Sequence, residues 1–186
     1  MKTLSISILL AMTAAVSASA AEVSDAPRVG RSTIANVEKY LDNRFTRLWD
    51  DNPVALLGPS RGVYLEGYGA VFTAEVNLVA GPPLTLFNVS VTKDYIARHK
   101  QAKMARIPEL KKELQKALAD TAASKEMAAV PPDEQIVLVA FLSHFPWEDL
   151  SGIPAQIMMQ GTKRKLIEAR NAGGANLEAA IQAVQF

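Results

Sequence analysis

The clearest hydrophobic pattern lies in residues 62–79, where apolar and polar positions alternate. Val63 and Leu65 alternate with Tyr64 and Glu66 before a Gly-Tyr-Gly break. After the break, apolar side chains again occupy every second position, at Ala70, Phe72, Ala74, Val76 and Leu78. A period of two is typical of a strand with one buried face. We predict a hairpin that turns at the glycines, with one bent and bulged strand as the alternative.

Two segments show the three- and four-residue spacing of an amphipathic helix. The first begins near Ser32 or Thr33 and has its apolar face at Ile34, Val37, Leu41, Phe45 and Leu48. The second is a long region capped by Thr92 that extends to Asp120. Pro108 lies inside it, and a proline removes a helical hydrogen bond. We therefore predict a kink or a restart at Pro108.

The rest of the chain supplies more strands and short helices. Residues 135–142 are almost continuously apolar, which is typical of a central strand covered on both faces. We predict a short strand at 84–91, a strand at 155–167 that becomes exposed midway, and a final helix capped by Asn176. This order predicts an α+β fold. Residues 32–186 would form a single domain, with a mostly antiparallel sheet and a long kinked helix and shorter helices packed on one face.

Residues 1–20 have the composition of a signal peptide. Lys2 gives a positive start, residues 4–16 are apolar, and the segment ends in an Ala-Ser-Ala cleavage site. The apolar run is shorter than the roughly 20 residues needed to span a membrane. We therefore predict cleavage after Ala20 and a periplasmic or secreted protein, with residues 21–31 as a flexible lead-in.

The composition of the mature chain excludes several classes of function. Its 166 residues contain no cysteine and have 19 basic and 19 acidic side chains. A chain of this length can form a hydrophobic core without disulfides. Because there is no cysteine, thiol chemistry and metal sites with cysteine ligands are excluded. Equal numbers of basic and acidic side chains argue against a nucleic-acid partner, because nucleic-acid-binding domains carry a surplus of basic residues. We predict no metal or cofactor, because the two histidines do not have the spacing of metal ligands. No segment after residue 20 is long and apolar enough to cross a membrane, so we do not expect an integral membrane protein.

The segment after the predicted central strand holds the first candidates for catalysis. His144, Glu148 and Asp149 lie close together in sequence, and histidine beside carboxylates can serve in acid–base chemistry. The alternative is an aromatic loop that packs Phe145 and Trp147 over the end of the sheet, with its polar groups in water.

Ser60 is a further candidate, because Gly58-Pro59-Ser60-Arg61-Gly62 matches the G-x-S-x-G motif. That motif requires a helix after the serine, and here a strand follows, so we expect a turn residue. Glu66 and Glu75 lie in the two arms of the hairpin. Our predicted register places Glu75 opposite Arg61, which favours a cross-strand charge pair over a catalytic carboxylate pair.

The long helical region has a surplus of positive charge. It contains eight basic and four acidic residues between Lys93 and Asp120. Such a surface could attract anionic lipid, polysaccharide or an acidic protein, or could simply be solvated. The candidates for partner binding are Arg98, Lys100, Lys103 and Lys111, with Trp147 from the loop.

These observations support three hypotheses for function. The first is a non-catalytic exported module that binds a protein or an envelope polymer, or forms a homo-oligomer, through a sheet edge or the basic helix. The alternative is a small exported hydrolase that uses the His144–Asp149 loop, with or without Ser60. The weakest is peripheral membrane binding by the basic helix. Asn88 also begins an N-glycosylation acceptor sequence.

Overall fold

A computed structural model describes four stretches of the chain, residues 29–48, 55–82, 91–173 and 176–186. The predicted signal peptide and most of the predicted lead-in lie outside the described residues. So do Asn88 and nearly all of the predicted strand at 84–91.

The described residues form helices on one side of a mixed sheet. The helices are α1 (Arg31–Phe45), α2 (Lys93–Ala123), α3 (Lys163–Asn171) and α4 (Leu177–Ala180), with a 3₁₀ turn at Lys125–Met127. The strands are β1 (Ala55–Leu56), β2 (Arg61–Leu65), β3 (Gly69–Asn77), β4 (Gln135–Leu142), β5 (Gln156–Thr162) and β6 (Gln182–Gln185). Thr92 caps α2 as predicted, since its side chain accepts a hydrogen bond from the Tyr95 N–H. The helix is continuous through Pro108, so it does not restart there.

The sheet is antiparallel except at its centre. β1 and β2 both pair with one edge of β3, and β3 pairs in parallel with β4 at its other edge. A parallel pair needs a crossover connection, and α2 lies in that connection. β5 and β6 then continue the sheet in antiparallel order. The predicted α+β fold with a mostly antiparallel sheet is confirmed.

The predicted hairpin is present as β2 and β3, but its register differs from the prediction. Leu65 pairs with Gly69, so the turn consists of Glu66, Gly67 and Tyr68, with Gly67 at a φ of 79°. Gly69 belongs to the strand, since it pairs with Leu65 and with Gln135 of β4. A Cβ at this position would lie 1.9 Å from the Gln135 carbonyl oxygen, so the strand requires glycine here.

This register overturns the predicted charge pair. Arg61 lies opposite Thr73, and Glu75 lies two residues further along β3. The predicted pairing of Glu75 with Arg61 was therefore wrong, because the turn begins one residue earlier than expected.

One core fills the space between the helices and the sheet. α1 and α2 contribute the apolar stripes that the sequence predicted, and every second residue of β3, β4 and β5 faces them. The largest fully buried members include Leu41, Phe45, Phe72, Leu110, Leu114, Leu138 and Ile157. The helices therefore cover one face of the sheet, as predicted.

Two predictions near the C-terminus were wrong in part. The strand expected to reach residue 167 ends at Thr162, and α3 begins at Lys163. The buried Lys163 ammonium donates to the carbonyl oxygens of Met127 at 2.7 Å and Val130 at 2.6 Å, which draws the chain away from the sheet. The expected final helix stops at Ala180, and the residues after it form β6 instead.

Candidate functional site

The loop that follows β4 is fastened to α2 by a buried ion pair. Lys103 Nζ donates to Glu148 Oε2 at 2.5 Å and to the Ser143 carbonyl oxygen at 2.8 Å. Both charged side chains are only 2% exposed. Glu148 Oε1 also accepts the backbone N–H of Phe145 at 2.9 Å. One lysine and one glutamate therefore hold both ends of segment 143–148 against the helix.

His99 lies one helical turn before Lys103 and faces the same carboxylate. Its Nε2 lies 3.3 Å from Glu148 Oε1, without the alignment of a hydrogen bond. Burial lowers the pKa of His99, while the Glu148 carboxylate acts in the opposite direction. Lys103, and not His99, is therefore the hydrogen-bonded partner of the Glu148 carboxylate in this cluster.

Aromatic rings close the cluster from solvent. The His99 ring stacks on Tyr95, with centroids 5.9 Å apart, and meets the edge of Trp147 at 4.9 Å. Phe145 stacks in turn on Trp147 at 5.3 Å. A general acid or base must reach the atom that it protonates or deprotonates. Glu148 and His99 are shielded from any such atom, so this arrangement serves to anchor the loop.

A second, exposed ion pair lies beside the buried one. Lys100 Nζ donates to Asp149 Oδ2 at 2.7 Å and also to the hydroxyl of Ser151. The lysine, together with the hydroxyl and N–H of Ser151, holds the pKa of Asp149 well below its usual range. Asp149 is therefore ionised and already hydrogen-bonded at neutral pH.

The remaining catalytic candidates are not brought together. His144 is exposed, makes no hydrogen bond in the described part of the chain, and borders a cavity of about 50 Å³ whose lining includes no carboxylate. Ser60 is buried at the start of β2, where its backbone N–H donates to Asp42 Oδ1 of α1 at 2.7 Å. The two residues share neither a hydrogen bond nor a cavity. The geometry that the hydrolase hypothesis requires is not found among the described residues.

The candidates for partner binding on α2 differ in their surroundings. Lys103 is buried, Lys100 is paired with the loop, and Trp147 packs on His99. Arg98 is exposed and Lys111 is half-buried. A lysine count along a helix does not reveal which lysines the following loop engages, and only the fold shows it.

No family model matches the chain. Neither the curated proteins nor the solved structures gave a significant match. In the part of the chain that the structure describes, no helix is long and apolar enough to cross a membrane, and no three acidic or histidine side chains form a group able to hold a metal ion. The function must therefore be argued from the surfaces of this fold.

The face of the sheet opposite the helices carries both apolar and polar side chains, and we call it the open sheet face. Its apolar members are Leu57, Val63, Leu65, Val71, Val137, Val139, Phe141, Met158, Val184 and Phe186. Its polar members include Thr73, Gln135, Gln156, Gln160, Thr162 and Gln182. Val137 and Val139 are buried, and the exposed apolar side chains lie around them. Nine large apolar side chains are exposed among the described residues, and five of them belong to this face, namely Leu57, Val63, Leu65, Phe141 and Phe186. Exposed apolar groups that collect on one surface mark an interaction site.

The open sheet face also has a charged corner. Arg61 and Glu75 are the charged side chains that its strands contribute. Together with Thr73 and Phe141 they border a cavity of about 260 Å³. The signal for this surface was visible in the sequence, because the continuous apolar pattern of β4 predicted cover on both faces.

Proposed function

We propose that this chain is an exported, non-catalytic module that assembles with a second copy of itself through the open sheet face. The main support for this proposal is the composition of β4. Its residues are apolar on both faces. On the open sheet face Val137 and Val139 are buried, whereas Phe141 at the end of the strand is 43% exposed. Burial of such a surface in a partner gains about 25 cal/mol for each Å² of apolar area removed from water.

The charges on this face support a second copy as the partner. In a two-fold interface the same patch meets itself, so each charge needs its opposite within the patch. The open sheet face offers one base, Arg61, and one acid, Glu75. Two twisted sheets pack face to face with their strands about 30° apart, an arrangement that a two-fold axis accommodates. The mature chain also has no net charge to oppose association.

A non-catalytic role is supported by the hydrogen bonds of the two acidic candidates. Glu148 is paired with Lys103 inside the fold, and Asp149 is hydrogen-bonded to Lys100 and Ser151 at its surface. Export remains the prediction made from residues 1–20. It is consistent with a chain that has no cysteine and needs no disulfide to complete its core.

Sedimentation equilibrium of the mature chain tests this proposal. We expect a monomer–dimer equilibrium that Phe141→Lys shifts to monomer. An aromatic anchor in an interface is worth about 2 kcal/mol or more, and each copy contributes one, so the dissociation constant should rise on the order of 10³-fold. The matched control is Met104→Lys, because Met104 is 47% exposed on α2, on the other side of the molecule. A wild-type chain that is monomeric throughout, or equal effects of the two variants, would overturn the proposal.

A further inference from the structure

We propose that a groove along α1 binds a neutral glycan chain. The exposed ring of Tyr40 stands between two cavities, one of about 450 Å³ and one of about 430 Å³, and it borders both. Volumes of this size lie within the range of about 300–1,000 Å³ for small-ligand sites. We call this surface the Tyr40 groove. It lies in the helix layer, away from the open sheet face, so a dimer could still use it.

The charges of the Tyr40 groove are balanced. Its lining contains three arginines and three acids, namely Arg44, Arg47, Arg170, Glu113, Asp120 and Glu126, and no lysine. Such a lining favours neither an anionic nor a cationic ligand.

Several of these charges are already held in place by one another. Arg44 donates to Glu113 and, at 2.6 Å, to Asp120 Oδ2. Arg170 Nε donates to the other oxygen of Asp120 at 2.7 Å. The planar polar groups are therefore fixed before a ligand arrives, which reduces the entropy lost on binding.

The exposed side chains of α1 match the chemistry of sugar hydroxyls. Asn36, Tyr40 and Asn43 recur every three or four residues and so lie along one side of the helix, and Arg47 follows in the turn after α1. A sugar hydroxyl both donates and accepts hydrogen bonds, as do the amide and phenol groups here. The helical part of this strip extends over about 10 Å of axis, which suits linked sugar rings better than a single ring.

Tyr40 provides the stacking surface. Tyr40 is 38% exposed, and Arg44 donates to its hydroxyl. The Arg44 guanidinium lies over one face of the ring, 5.8 Å from the centroid, so a sugar would stack on the opposite face. The face of an aromatic ring carries partial negative charge, and the C–H groups of a sugar ring carry partial positive charge. A sugar ring seated on Tyr40 would leave its hydroxyls directed into the two flanking cavities.

Affinity electrophoresis in native gels tests this inference. The mature protein is run through gels that contain hydroxyethyl cellulose, dextran or glycogen, and through a gel with anionic alginate. We expect retardation by at least one neutral polymer and little by alginate. Tyr40→Ala should weaken the binding constant roughly two- to tenfold, and Tyr40→Phe should retain most of the binding because it keeps the ring.

Tyr68→Ala is the matched control. Tyr68 is 44% exposed in the β2–β3 turn, outside the groove, and its removal should leave the retardation unchanged. Circular dichroism checks that each variant is folded. The inference would be overturned if no neutral polymer retarded the wild type, if alginate alone did so, or if both tyrosine-to-alanine variants behaved alike. Dimer formation is measured separately, so either proposal can fail without the other.

Discussion

Replacement of Lys103 by methionine tests the buried ion pair between α2 and the loop after β4. Lys103→Met keeps most of the side-chain volume but leaves Glu148 buried and uncompensated, and it removes the hydrogen bond to the Ser143 carbonyl. Loss of one partner from a buried ion pair costs about 3–5 kcal/mol. That is a large part of the roughly 5–15 kcal/mol by which a domain is stable.

Lys100→Met is the internal control for this prediction. Lys100 lies on the same helix and pairs with Asp149 in the same loop, but that carboxylate is half exposed. An exposed pair contributes about 0–1 kcal/mol, so this variant should be nearly as stable as the wild type. Urea unfolding followed by circular dichroism gives the free energy of unfolding of each variant. All variants are measured at one protein concentration, because the stability of a dimer increases with concentration.

The double variant Lys103→Met/Glu148→Met separates charge from packing. With both charges removed, no buried carboxylate is left unpaired, and much of the lost stability should return. Equal losses for Lys103→Met and Lys100→Met would contradict the cost assigned to an unpaired Glu148, as would a double variant no more stable than Lys103→Met alone.

Three further predictions concern the fold and the leader. The pKa of His99 is lowered from 6.5 in the folded state, so the unfolded chain binds a proton at a higher pH than the folded chain does. The contribution of His99 to stability should therefore be full above about pH 6.5 and decrease as the pH falls below that value. In urea unfolding midpoints measured at pH values on both sides of 6.5, His99→Leu should show a smaller decrease than the wild type. Gly69→Ala should destabilise the fold by more than about 2 kcal/mol, since its Cβ would meet the backbone of Gln135, whereas Gly67→Ala, with open space around it, should cost less. N-terminal sequencing of the exported protein should begin at Ala21; retention of residues 1–20 would contradict the predicted cleavage.

The sequence predicted those parts of the fold that have a strong hydrophobic period. The stripes of α1 and α2 and the alternation in β3 were sufficient, because burial of apolar side chains decides those elements. The change from strand to helix at Lys163 could not be predicted. It depends on a lysine ammonium that binds carbonyl oxygens more than thirty residues earlier in the chain.

The candidate site was predictable only in outline. The sequence analysis singled out the segment from His144 to Asp149 as a catalytic candidate. In the structure its acids are partners of Lys100 and Lys103, which the sequence had assigned to a separate surface. His99 had no distinguishing pattern, and its place beside Glu148 follows from the packing of the loop on α2. Long-range pairing of this kind leaves no local signal.

The most direct test of self-assembly through the open sheet face is cross-linking from a single introduced cysteine. The chain has no cysteine, so Thr73→Cys places one thiol on this face at the middle of β3, and Lys112→Cys places one on the exposed side of α2 as a control. Sheets that pack face to face lie about 10 Å apart, within reach of a short bis-maleimide. We expect covalent dimers of Thr73→Cys and far fewer of Lys112→Cys. Equal yields, or no dimer from Thr73→Cys, would contradict this expectation.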